Sequence, residues 1–135
     1  MLAPKKLKRR KQHRPNPQGP ATTNLEISFG QFGLKAMTKG WITAQQIESA
    51  RRVITRYTKK GGKTWIRIFP HQPITQKGSQ SVMGGGKGVP EYYVAPIRPG
   101  TVIFEMAGVT LEAATEALNL AGYKLPVKTK FIVKE

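Results

Sequence analysis

No cysteine and no aspartate occur anywhere in the 135 residues. The first absence removes disulfides, thiolate zinc sites and cysteine nucleophiles. The second removes the carboxylate on which most Mg²⁺ and Ca²⁺ sites lean, and leaves glutamate alone for acid–base work. Histidine is nearly missing too: His13 and His71 stand far apart and neither has a metal-ligand spacing, so no metal and no cofactor is expected. No hydrophobic run is long enough for a signal peptide or a membrane span, and the chain reads as soluble and unsecreted. Its start has the charge of an organellar transit peptide, but it has no serine and four prolines in its first twenty residues. Those prolines spoil an amphipathic helix, so the segment is read as part of the mature protein.

Acid of any kind is scarce and unevenly placed. Lysine and arginine number 23 against seven acids, a formal charge of +16. Residues 1–87 hold 18 of the cations with only Glu26 and Glu48, whereas residues 88–135 hold five cations and five acids, so the whole excess lies in front. A compact chain so charged repels itself unless a polyanion neutralises it. Nucleic acid is therefore the leading partner class. An anionic membrane surface comes second, because it would want bulky apolar residues beside the charges on one helix, and no membrane partner is assigned.

The chain divides into a basic arm with its connector (1–23) and one α+β domain (24–135). The arm carries Lys5, Lys6, Lys8, Arg9, Arg10, Lys11 and Arg14, with His13, and no acid. Like charges at this density keep it extended until phosphates order it; a solvated solubility tail is the alternative. Pro15, Pro17, Gly19 and Pro20 form a stiff, non-helical connector.

From Asn24 the pattern changes. Leu25, Ile27 and Phe29 alternate with polar residues as in a half-buried strand, and a turn at Gly30–Gly33 precedes Leu34–Met37. Thr43 with Gln46 predicts a capping box for a helix from Ala44 to about Lys60, stopped by Gly61–Gly62. Its apolar half holds Ile47, Ala50, Val53, Ile54 and Tyr57. Arg52, Arg56, Lys59 and Lys60 share the other half, where Glu48 is the one acid, so the stripe is expected to stay unpaired and to meet phosphate. Lys63–Phe69 alternates as a strand. Trp65 and Phe69 in it read as packing residues and Arg67 as a ligand contact, while Pro70 and Pro73 end regular pairing.

Residues 76–90, QKGSQSVMGGGKGVP, contain five glycines, Lys77 and Lys87, and no acid. A loop of that length is either functional or a plain connector. Free backbone N–H groups and two lysines suit phosphate and nothing catalytic. Glu91–Ile97 and Thr101–Met106 predict a hairpin turning at Pro99–Gly100. Thr110 caps a second helix bearing Leu111, Ala114, Leu118, Ala121 and Leu125, whose acidic or neutral polar face looks away from the polyanion, and which Pro126 ends. Val127–Val133 is a last strand. The order implies an α+β fold: a mixed, mainly antiparallel sheet with two helices on one face, an extended basic N-terminal arm and a long Gly-rich loop.

Enzymatic readings fail on geometry. Gly62-Lys63-Thr64 resembles the end of a phosphate-binding loop, but Tyr57 stands where the earlier glycine belongs and the segment opens a strand rather than a helix. Gly84–Gly88 lacks both the earlier glycine and the hydroxyl for Mg²⁺. Glu105 and Glu112 are explained more simply by a strand surface and a helix start than as an acid–base pair. A free-standing nucleic-acid-coating protein remains the alternative to a protein built into a ribonucleoprotein.

Five stretches in order, PK..K.RKQHR, WITAQQIESARR, GGKTWIRIFP, MGGGKG..EYYVA and LPVKTKF, resemble the bacterial-type large-subunit ribosomal protein sixteen family over nearly the whole chain. The resemblance implies a non-enzymatic part of the large ribosomal subunit, in the cytoplasm or an organelle, that binds large-subunit rRNA beside neighbouring ribosomal proteins. It further implies contacts with tRNA in the A site and, next to it, the P site. The rRNA-facing cations would be those of the arm together with Arg52, Arg56, Lys59, Lys60, Lys63 and Arg67. The finger, with Lys77, Met83, Gly84, Gly85, Gly86, Lys87 and Gly88, would point toward tRNA and the peptidyl-transferase region. The family usually has arginine where Val82 stands and often lysine where Gly85 stands, so this finger carries two fewer cations.

Overall fold

The computed structural model describes residues 2–3, 19–21, 25–58, 61–75 and 90–135. The chain runs β1 (Phe32–Ala36), β2 (Gly40–Thr43), α1 (Ala44–Thr58), β3 (Lys63–Ile66), β4 (Gln72–Thr75), β5 (Pro90–Ile97), β6 (Val102–Ala107), α2 (Leu111–Gly122) and β7 (Thr129–Val133). The α+β class expected from the sequence is the class observed. The strands divide between two sheets, β3-β6-β1-β7 and β2-β5-β4, and every pairing among the described strands is antiparallel.

The expected hairpin of β5 with β6 is replaced by a corner. β1 and β2 follow one another along a bent path, and β5 and β6 run back beside it. Phe32 lies opposite Met106 in one sheet and Thr43 opposite Val94 in the other. At the corner Gly100 adopts φ +99°, a conformation open to glycine and strained for other residues. Its N–H donates to the Ala36 carbonyl at 2.7 Å, and Ala36 N–H donates to the Thr101 carbonyl at 2.8 Å. The groups that a hairpin would use between β5 and β6 are thus spent on β1.

Two further expectations are corrected. Residues 25–31 form no strand: the segment crosses the outer face of the four-stranded sheet, where Ile27 lies over Gly33 so closely that a Cβ on that glycine would come within 3.0 Å of Ile27 Cγ1. Pro73 does not end pairing either, because β4 is an edge strand of its sheet, where a missing N–H can face away from the ladder.

Both helices start where their caps predict. Gln46 Oε1 accepts from the Thr43 N–H at 2.9 Å while Thr43 Oγ1 accepts from the Gln46 N–H at 3.2 Å, so the capping box closes from both sides. Thr110 Oγ1 accepts from Ala113 N–H at 3.2 Å. α2 stops at Gly122, before Pro126, as the Tyr123, Lys124 and Leu125 N–H groups turn to carbonyls three residues back. The core lies between the helices and the four-stranded sheet, with Leu34, Phe104 and Met106 from the sheet, Ile47, Ala50 and Ile54 from α1, and Ala114, Leu118 and Ala121 from α2.

Candidate nucleic-acid interface

Burying Ile47, Ala50 and Ile54 fixes the rotation of α1 and turns its Glu48–Arg52–Arg56 row to solvent. Arg52 has 74% of its side chain exposed, and Arg56, one turn on, is exposed as well. Lys63 is exposed at the start of β3, just beyond the glycines that end the helix. Arg52, Arg56 and Lys63 therefore all stand in solvent on α1 and the strand that follows it. Lys59 and Lys60 lie outside the described residues. So do Lys5, Lys6, Lys8, Arg9, Arg10, Lys11, His13 and Arg14 of the arm, and Lys77, Met83, Gly84, Gly85, Gly86, Lys87 and Gly88 of the finger.

The stripe is not wholly unpaired, as the sequence suggested. Glu48 takes a two-pronged contact from Arg51, one prong being Nε to Oε2 at 3.1 Å, and its Oε1 lies 3.7 Å from Arg52 Nε. The hydrogen bond from Arg51 is the chief cause that holds the Glu48 carboxyl below its ordinary pKa, and the same bond raises that of Arg51. Arg51 was missed in the sequence because it sits at the border between the apolar and cationic halves of the wheel. Its i+3 position from Glu48 was the available signal. Arg56 has no ion-pair partner among the described residues.

On the inner edge of α1, Tyr57 neighbours Glu116 of α2. Burial first, and the neighbouring Glu116 carboxylate second, push the phenol above its usual pKa. One acid of α2 is thereby turned toward its neighbour helix, while Glu112 stays exposed in the first turn.

Arg67 is differently placed. Ile66 and Ile68 go into the core, so Trp65 and Arg67 project from the opposite face of the sheet. There Arg67, with 14% of its side chain exposed, is paired to the fully buried carboxylate of Glu105. The same carboxylate accepts from the Phe29 and Gly30 N–H groups at 2.7 Å each and from Ser28 N–H at 3.2 Å. Burial acts to raise the Glu105 pKa. The backbone donors of Gly30 and Phe29, Arg67 and Ser28 together outweigh it and hold the carboxyl below its ordinary value. Glu105 is thus no strand-surface residue. It is the anchor that replaces a strand partner for residues 28–30, which is why the apolar alternation of Leu25, Ile27 and Phe29 does not pair as a strand. Above this anchor Phe29 is 61% exposed.

What α1 offers is a rigid row of solvated guanidinium groups with one carboxylate at its start, suited to phosphate and not to proton transfer. Among the described residues no three His, Cys, Asp or Glu side chains come together as a metal site would require. The family described as Ribosomal protein L16p/L10e matches residues 4–132. The chain is 56% identical over its full length to the large ribosomal subunit protein uL16c of Phaeodactylum tricornutum, covering 98% of that relative. It is 53% identical to uL16 of Trichodesmium erythraeum, again over the whole chain and 98% of the relative. With uL16 of Macrococcus caseolyticus the identity is 55% over the whole chain and 94% of the relative. Matches of this length and identity settle kinship, and the chain belongs to the ribosomal protein L16p/L10e family.

Proposed function

We propose that this protein is a structural, non-catalytic constituent of the large subunit of a cytoplasmic or organellar ribosome, where it binds large-subunit rRNA and helps shape the aminoacyl-tRNA site. Relatives that share more than half of its residues are named as proteins of that subunit, and that likeness carries the ribosomal part of the reading. The rRNA part is supported by the solvated row on α1 and by Lys63, in a chain whose net charge is +16. A surface of this kind gains affinity by displacing the counterions condensed on phosphates. The arm and the finger, by resemblance to the family, extend the same contacts, the finger toward tRNA.

Salt dependence tests this. If about eight cations meet duplex phosphates, the logarithm of affinity for large-subunit rRNA should fall against the logarithm of salt with a slope near −7. Reversing Arg52→Glu and Arg56→Glu together should flatten that slope by about 2 and leave the melting temperature close to wild type, since both side chains lie in solvent. A slope near zero in the unmutated chain ends the rRNA reading. Equal affinity for duplex DNA and absence from large subunits on a sucrose gradient would instead mark a free nucleic-acid-coating protein.

A further inference from the structure

Phe29, Trp65 and Arg67 form a patch that the cationic reading leaves unused. Trp65 and Arg67 are two residues apart on the same path, so both rise from the sheet face opposite the helices. Phe29 lies across them. Its ring is stacked with that of Trp65, 6.1 Å between centroids and 21° between planes, and the guanidinium carbon of Arg67 is 4.9 Å from its centroid. Although it touches both side chains, Phe29 stays 61% exposed. The backbone that carries the ring is pinned, since the Ser28, Phe29 and Gly30 N–H groups all donate to Glu105. The result is an aromatic face held open and in place.

We propose that the outward face of Phe29 is a stacking site for an unpaired rRNA base. This rests on the rRNA reading above and adds to it a contact that carries no charge. Single-stranded bases splayed from folded RNA are recognised by stacking on aromatic side chains. A ring already immobilised loses little freedom when a base lands on it. One open ring is too small for a protein interface, which takes roughly 800 Å² from each partner, but it matches the area of one base. The +16 charge selects RNA over an apolar surface as the visitor.

The test measures binding of the full chain to large-subunit rRNA across a salt series. Phe29→Leu, which keeps an apolar cover on Trp65, should weaken binding about tenfold at every salt concentration without changing the slope, because stacking releases no counterion. Phe29→Tyr should restore the affinity. A flat slope in wild type would count against the rRNA reading itself. A steep slope with wild-type affinity in Phe29→Leu would overturn the stacking site alone. Unchanged rRNA affinity with poor incorporation into large subunits would assign the patch to a protein neighbour and overturn it equally. A second measurement needs no variant: short-wave ultraviolet irradiation of wild-type large subunits should leave a nucleotide adduct on Phe29. Adducts elsewhere on the chain with none at Phe29 would sink the proposal.

Discussion

Arg52 on α1 has 74% of its side chain in solvent and stands 3.7 Å from its nearest carboxylate. Arg67 behind β3 has 14% exposed, with a fully buried carboxylate against it and an aromatic ring over it. The first arrangement keeps the charge hydrated, so it adds little to stability and remains free for a polyanion, where salt screens it over a Debye length of roughly 8 Å. The second takes the charge out of water and commits it to holding one segment of backbone. The difference between the two surfaces shows that position in the fold, and not residue type, decides whether a cation in a basic protein stays in solvent or is spent on holding the chain.

The largest effect should come from breaking the buried side of the comparison. Glu105→Ala leaves the Arg67 guanidinium without its carboxylate and three backbone donors without an acceptor. A loss of about 3–5 kcal/mol is expected by urea unfolding. Because the folded carboxyl titrates below its ordinary value, its contribution is fully present above the unfolded glutamate pKa, about 4.3. It is lost as pH falls from there through the lowered folded value. Glu105→Gln should therefore flatten the acid limb of the stability profile. An alanine variant as stable as wild type would mean that the anchor holds nothing.

How much of this could be read in the sequence follows from range. The helices were legible because their caps are local: Thr43 with Gln46, and Thr110 before an apolar period. The α1 row followed from the same periodicity. The Glu105 anchor was not legible, since it joins residues 75 to 77 positions apart and a lone acid in an apolar strand names no partner. Nor could Pro99–Gly100 announce a corner. A proline and a left-handed glycine between two apolar runs serve a reversal and a bend equally well, and the choice was made by Ala36, whose N–H and carbonyl both bond to the turn. The Glu105 pairing of Arg67 was hidden for a related reason: alternation places Arg67 on the outer face, but nothing local says that residues 28–30 cross that face.

A smaller loss is expected from Gly30→Ala. Its Cβ would stand 2.6 Å from the Met106 carbonyl oxygen, a backbone atom that cannot swing aside. The crossing segment must then lift from the sheet, at a cost of about 1–3 kcal/mol, and the N–H of residue 30 draws away from Glu105. Thermal unfolding should report the destabilisation, and near-ultraviolet circular dichroism should report Phe29 leaving Trp65. A wild-type signal in both would show that the segment is not gripped as tightly as its hydrogen bonds imply. Phosphate binding by α1 should be untouched, so the salt slope is the control that keeps the two surfaces apart.

The smallest effect on the fold, and the sharpest on the comparison, is Glu48→Gln. Glu48 engages Arg51 and reaches Arg52 on the exposed face of α1, and exposed pairs of this kind contribute little to stability. Removing its charge frees Arg51 for phosphate and deletes the one acid of the row, so the chain should melt as wild type does while its salt slope steepens by about one. The sign is opposite to that expected for Arg52→Glu with Arg56→Glu, although all three substitutions lie on one helix face. If Glu48→Gln weakened rRNA binding instead, the carboxylate would be orienting Arg51 and Arg52 for RNA rather than competing with it, and the exposed row would share with the buried anchor the property of being held in place by an acid.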